Sequence, residues 1–415
     1  MAGEGRDARQ AAEHAARESY GRLVAFLAAR SRDVAGAEDA LSEAFASALR
    51  LWPADGVPDN PDAWLLTVAR RRLVDAARRR GTEAAGEAHI ILMADEIEEA
   101  AEAQGPIAER RLALMFACAH PAIDPVVRAP LILQTVLGLN AIDIGAAFLV
   151  PPATMGQRLS RAKARIRDAG IPFRIPEPEE LPERLDAVLD AIYAAYAKGW
   201  GDLGEGTRAP LAEEAIWLGQ LVVALLPGDA EAKGALSLML FAEARRAARR
   251  DAAGRFVPLE EQDTGLWDQR LLAAAEAMLR AANAVVGPTG RYQIEAAIQS
   301  AHVARRLSGV GTWPTILALY DHLLALSGSP VVAVNRAAAL AEVEGPEVAL
   351  VALGALAEDR RLRDYQPYWA ARGVIALRAG RRAEARESLT LAVGLADDQA
   401  VRTWLRRRLE AIHRD

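Results

Sequence analysis

The chain has 415 residues, enough for two to four domains with substantial hydrophobic cores. Hydrophobic residues make up 52% and aromatics only 5%, which favours packed helices over sheets, because strands draw on β-branched and aromatic side chains. The one cysteine, Cys118, excludes an internal disulfide framework, and a net charge of −6 would disfavour a polyanionic partner if it were evenly spread.

The first residues, Met1 to Asp7, hold no apolar signal core, and no run of eighteen uncharged apolar residues follows. The expectation is a reducing, cytoplasmic setting with no membrane contact. From Ala8 to Trp52 apolar residues recur at helical spacing in two stripes: Tyr20, Leu23, Val24 and Leu27, then Leu41, Ala44, Phe45, Ala48, Leu49 and Trp52. A break is expected near Ser31 to Gly36. Within the second stripe the acids of Ala37 to Phe45, among them Glu38, Asp39 and Glu43, are expected on one side of the helix. That face either docks a basic helical hairpin of a protein partner or is simply solvated.

Prolines, a glycine and acids mark Pro53 to Pro61 as a loop, and Asp62 is expected to cap the next helix. That helix is rich in arginine. A seam of Leu66, Ala69, Leu73, Ala76 and Ala77 leaves Arg70, Arg71 and Arg78 to Arg80 on the outer face, with Arg70 and Arg80 about 15 Å apart along the axis. Arginines neutralise phosphates and reach base edges; the alternative is an exposed helix whose arginines serve solubility. Asn60 and Trp64 are placed to hold an unstacked base, or Trp64 joins the core.

Glu83 to Ile107 carries seven acids and no Arg or Lys, and reads as an acidic linker. From Ala108 to Arg174 the balance reverses to nine basic against four acidic residues, so the local field there favours DNA whatever the total. Apolar Val126 to Leu137, the turn Gly138-Leu139-Asn140, Ala141 to Leu149 and then Val150-Pro151-Pro152 lead into a basic helix. This order is a helix-turn-helix, with proline suited to a first helical turn. Leu139, Ile142, Ala146, Phe148, Val150, Met155, Leu159 and Ala162 are expected to pack it. Thr154, Gln157, Arg158 and Arg161 fall on the half of the second helix that meets bases in the major groove, whereas Lys163, Arg165 and Arg167 lie where phosphates are met.

Cys118-Ala119-His120-Pro121 reads as a metal pair lacking further ligands or as a packed turn capped by His120. No P-loop, GxSxG or HExxH occurs, so no catalysis, metal or cofactor is expected. After Pro172 to Pro178 the chain becomes alanine- and leucine-rich, with 28 basic and 33 acidic residues from Ile175 onward. Ala337, Ala349 and Leu353 match Gly373, Ala385 and Leu389 at a shift of 36, near the tetratricopeptide period; a plain helical bundle is the alternative.

With these residues in view the chain resembles a bacterial RNA polymerase sigma factor of the extracytoplasmic-function type, in the subgroup with a long C-terminal tetratricopeptide-like extension. Ala37-Glu38-Asp39-Ala40-Leu41 through Phe45 resembles sigma region two, where the polymerase β′ clamp helices dock. Asn60-Pro61-Asp62-Ala63-Trp64 through Arg70 resembles the segment that reads and melts the minus-ten element. His120 to Ile123, Ala147 to Met155 and Arg161 to Phe173 resemble region four. Leu149 stands where many helix-turn-helix units keep glycine, and Gly156 where many sigma factors carry lysine.

The resemblance implies an all-α fold: two small helical sigma domains, a region two bundle (8–82) and a region four helix-turn-helix (108–174), joined by the linker (83–107) and followed by a tetratricopeptide-like domain (181–415). It implies core RNA polymerase, through the β′ clamp helices and β flap, and promoter DNA as partners, with a regulatory protein or ligand on the extension. Asp39 and Glu43 are then polymerase contacts. Asn60, Trp64, Arg70, Arg71, Arg78, Thr154, Gln157, Arg158, Arg161, Lys163 and Arg165 are DNA contacts. The competing expectation is a stand-alone helix-turn-helix regulator with a helical sensor domain.

Overall fold

A computed structural model of the protein describes residues 4–31, 33–80, 107–201, 209–309 and 312–414. The acidic linker, except Ile107, lies outside the described residues, as do the side chains of residues 77–80 and hence that of Arg78. The fold is all-α: among the described residues there is no strand, only one isolated bridge between Arg250 and Phe256. The chain forms two compact units, 1–218 and 219–415. The expected break near residue 175 is therefore not where the units part.

The first unit opens with α1 (Glu4–Ser31), α2 (Val34–Asp55) and α3 (Pro61–Arg80). Asp33 begins α2 by accepting the Gly36 N–H at 3.0 Å, which satisfies one of the donors every helix start leaves open. The three helices share a core of Leu23, Val24, Leu27, Leu41, Ala44, Ala48, Trp52, Leu65 and Ala69, all essentially closed to solvent. Each buried leucine there is worth roughly 1.5–3 kcal/mol over its exposed state. Two expected core positions differ: Leu49 is exposed, and Leu65 rather than Leu66 sits innermost on α3. Helix α2 also runs past Pro53, so the loop is only residues 56–60.

Next come α4 (Ile107–Cys118), α5 (Pro125–Thr135), α6 (Ala141–Ala147), α7 (Pro152–Asp168), α8 (Pro182–Gly201) and α9 (Ala209–Leu225), whose last residues enter the second unit. Helix α8 packs against α4 and α5. Buried Arg128 of α5 donates to the carbonyls of Ile123 (2.9 Å), Pro121 (3.1 Å) and Glu183 (3.3 Å). Buried Arg184 of α8 answers with a bond to the Phe116 carbonyl and a 2.8 Å bond to Glu180. The first helix of the expected extension is thus built into the helix-turn-helix domain. Arg111 pairs with Glu214 and stacks over Trp217 at 5.4 Å, bringing α9 to the same domain.

The second unit holds α10 (Ala230–Ala244), α11 (Gln269–Asn283), α12 (Arg291–Ser308), α13 (Trp313–Ser327), α14 (Pro330–Val343), α15 (Pro346–Gly354), α16 (Gln366–Arg378), α17 (Arg382–Leu395) and α18 (Gln399–Arg414). Glu231 of α10 accepts the backbone N–H groups of Tyr292 (2.8 Å) and Gln293 (3.0 Å), so one helix supplies the N-terminal cap of another. Helices α14 and α16 begin 36 positions apart, at Pro330 and Gln366, as do α15 and α17 at Pro346 and Arg382. Ala337, Ala349, Leu353, Ala385 and Leu389, five of the six positions of the repeat, lie in one core.

Candidate nucleic-acid interface

Helix α3 is started by Asn60, not by Asp62. The Asn60 side-chain oxygen accepts the Ala63 N–H at 3.1 Å, a cap geometry that shields a helix donor. Asp62 instead accepts from Ser19 of α1 at 2.9 Å, tying the first turn of α3 to α1. Trp64 is half-buried and meets the buried Trp52 edge to face, centroids 5.5 Å apart. Along the helix Arg70 lies over the Phe26 ring at 4.8 Å, and Arg71 faces solvent. Arg72 pairs with Glu43 at 3.2 Å across the α2–α3 seam, both side chains largely exposed, so the pair itself contributes little to stability.

The helix-turn-helix is α6, the turn 148–151, and α7. Asn140 starts α6 by accepting from Ile142 (3.0 Å) and Asp143 (2.9 Å), and Lys198 of α8 pairs with Asp143 at 2.9 Å. The turn closes in two bonds: Val150 N–H to Gly145 carbonyl at 2.8 Å, and Leu149 N–H to Ala146 carbonyl at 3.4 Å. This is the pattern that ends helices on a left-handed residue, normally glycine. Leu149 holds that position with φ 55, the one positive φ at a non-glycine among the described residues. Gly145 lets the turn come close, since a Cβ there would lie 2.6 Å from the Val150 carbonyl oxygen.

Met155, Leu159, Ala162 and Ile166 form the buried stripe of α7. Of the other expected packing residues, Leu139 is buried and Phe148 and Val150 are half-buried, but Ile142 is 67% exposed and Ala146 also faces solvent. Helix α6 is only two turns long, and its inward positions are Ile144 and Gly145. Gln157, Arg161 and Arg165 are exposed on α7, with Thr154 and Arg158 half-exposed beside them. Arg165 bonds the Ala122 carbonyl at 3.3 Å and Arg161 the Gln157 carbonyl at 3.3 Å.

Lys163 does not share that outward face. Its side chain is 13% exposed and pairs with Glu38 of α2, itself 11% exposed. Glu38 therefore does not lie with Asp39 and Glu43, which face solvent as a pair. Burial pushes the Glu38 carboxyl above its usual range, Lys163 opposes that shift, and Asp39 adds to it. The second Glu38 carboxylate oxygen is buried with no hydrogen-bond partner. The two domains meet here: α1 packs on α4 and α5, and α2 on α7. A Cβ at Gly21 would run into the Val136 carbonyl, and one at Gly138 would come 3.1 Å from the Tyr20 ring.

The turn after α4 is built as a cap: His120 Nδ1 accepts the Ala122 N–H at 3.1 Å. Burial lowers the His120 pKa, with Arg184 lowering it further. The buried Cys118 thiol contacts the Thr135 hydroxyl at 3.3 Å, and burial pushes its pKa up to about 12. Sequence reasoning missed Glu38 and Gly21 as contact residues. A glycine inside an amphipathic helix was the available signal, because it often marks close backbone approach.

A three-helix bundle with a capped arginine helix is thus followed by a helix-turn-helix, two basic helices of the kind that meet DNA. Residues 16–83 match the Sigma-70 region 2 family, and residues 184–283 match a family of unknown function (DUF6596). An uncharacterized protein of Rhizobium meliloti (strain 1021) is 38% identical over 399 residues, spanning 95% of this chain and 93% of that protein. No solved structure matches the chain. The chain belongs to one family with the Rhizobium meliloti protein, and residues 16–83 form a Sigma-70 region 2 domain. Its region 2 domain implies core RNA polymerase and promoter DNA as partners. No helix among the described residues is long and apolar enough to cross a membrane.

Proposed function

We propose that the protein is a sigma factor of the extracytoplasmic-function type that binds core polymerase and directs transcription from particular promoters. The observation that carries this is the coincidence of the region 2 match, 16–83, with the α1–α3 bundle and its arginine helix. An ordinary helix-turn-helix regulator has no use for such a bundle. In this reading Asp39 and Glu43 receive the polymerase clamp, and Asn60, Trp64, Arg70, Arg71 and Arg78 hold the minus-ten strand. Asn60 does so from the cap position, where its backbone is already fixed. Thr154, Gln157, Arg158 and Arg161 read the upstream element, and Lys163 and Arg165 take phosphates.

The second unit is a tetratricopeptide-like regulatory domain that receives a protein or ligand. Its support is the helix pairs recurring at 36 residues with equivalent positions buried. Run-off transcription with core polymerase tests the proposal, together with Asp39→Lys and Glu43→Lys in one chain. Promoter-dependent transcript that is lost in the double variant is expected. Failure of the unmodified chain to bind core overturns it.

A further inference from the structure

The two domains expected to grip DNA at separate places are packed against each other, and the contact is specific rather than a general apolar patch. It has a steric part and an electrostatic part. In the steric part the α1 backbone at Gly21 lies against the end of α5, so close that any side chain at 21 would meet the Val136 carbonyl. Tyr20, the neighbouring residue, covers Gly138 in the turn between α5 and α6. The electrostatic part is the Glu38–Lys163 pair, screened from water on both sides.

A charge buried this way depends on its partner, because a lone ion there keeps the desolvation cost without the compensating attraction. Lys163 sits on the helix that presents Gln157, Arg158 and Arg161 outward, yet its own ammonium is committed to a carboxylate of the polymerase-binding helix. One ammonium cannot hold both this carboxylate and a DNA phosphate. The Glu38 carboxylate occupies the place of a phosphate oxygen, an anionic acceptor for Lys163 supplied from within the chain.

We propose that Glu38 and Lys163, backed by the Gly21–Val136 contact, form an intramolecular latch that holds the helix-turn-helix domain closed on the α1–α3 bundle and withholds Lys163 from DNA. The gating role rests on the sigma reading above, whereas the latch itself does not. Opening frees Lys163 for a phosphate, so DNA favours the open state.

The test places spin labels on the full chain at Asp59→Cys and Ser160→Cys, both exposed positions, in a Cys118→Ser background. The otherwise unmodified protein gives one narrow distance distribution. Gly21→Ala wedges the contact while improving the intrinsic helix propensity of α1, and Lys163→Glu sets two like charges together. Each broadens and lengthens the distribution, and Glu38→Lys combined with Lys163→Glu returns it toward the narrow form. Because apparent affinity scales with the open fraction, Gly21→Ala, which keeps Lys163, binds promoter DNA in the presence of core polymerase about tenfold tighter if the closed state dominates about ten to one.

A broad distribution in the starting protein, or a narrow one that survives both Gly21→Ala and Lys163→Glu, overturns the latch. Lengthened distances with unchanged affinities overturn its withholding role. Core polymerase that binds no version overturns the sigma reading instead, with the latch still decided by the distances.

Discussion

Leu149 offers a measurable reversal of an ordinary rule. Its φ of 55 puts a branched side chain in the left-handed region, which costs a non-glycine residue about 1–2 kcal/mol. Two backbone bonds, from Val150 to Gly145 and from Leu149 to Ala146, impose that conformation. The half-buried side chain returns roughly 1 kcal/mol by packing. Leu149→Ala loses the packing and keeps the strain, so it should destabilise the helix-turn-helix by about 1 kcal/mol. Leu149→Gly loses the same packing but relieves the strain, offset by the roughly 0.5–1 kcal/mol of extra chain entropy glycine gives up on folding. Glycine should therefore exceed alanine by about 0.5–1 kcal/mol, the opposite of their order in a helix interior. Amide exchange of Leu159, Ala162 and Ile166 in the full chain measures this locally, where global melting of a multi-unit protein would blur it. Protection should be several-fold higher in the glycine variant than in the alanine variant. Equal or inverted protection would show that the turn is not held left-handed at 149.

Other perturbations bear on different parts of the molecule. Gly234→Ala places a Cβ 2.7 Å from the Gln293 nitrogen and 2.8 Å from the Tyr292 carbonyl carbon, backbone atoms that cannot turn aside. We expect about 1–3 kcal/mol of destabilisation, read as a lower urea midpoint for the second unit, and an unchanged midpoint would contradict the close helix approach. His302 has its pKa lowered to about 4, first by burial and then by Arg245 and Arg305. The folded state thus favours neutral imidazole. Stability is intact above the unfolded value near 6.5 and falls as pH drops toward 4, by up to about 3 kcal/mol; His302→Gln should flatten that slope in urea titrations at pH 7 and 4.5. Arg158→Ala and Arg161→Ala should each weaken binding to the upstream element by about 1–3 kcal/mol if they read bases, and gel-shift competition with unrelated DNA separates this from a uniform phosphate effect.

Much of this organisation was legible because amphipathic periodicity is a local property. The α1 to α3 stripes, the proline opening α7 and the buried line of Met155, Leu159 and Ala162 all follow from spacing along one helix. Periodicity fixes a face only to within one residue, since adjacent side chains differ by 100°, and so Leu65 took the place expected of Leu66. The sequence could not show what covers a polar residue. Glu38 reads like Asp39 until another domain is laid against it, and Lys163 reads like Arg161 for the same reason. Asn60 illustrates a different limit: both Asn60 and Asp62 are good caps, and only the loop geometry decides which side chain reaches the Ala63 N–H.

The position of α8 changes how the extension must be dissected. Arg128 spends three hydrogen bonds joining the 121–123 turn to the start of α8, and Arg184 reaches back to the end of α4. Cutting the chain after Arg174 would leave Arg128 without its Glu183 acceptor and strip the apolar side of α8, including Leu185, Val188, Leu189 and Ile192, from its packing partners. It would also remove Lys198 from Asp143 in the first helix of the helix-turn-helix. A loss of transcription in such a truncation would report a damaged helix-turn-helix domain as readily as a missing second unit. A cut after Leu225, the last residue of α9, keeps these bonds and leaves that helix whole, so its result bears on the second unit more directly.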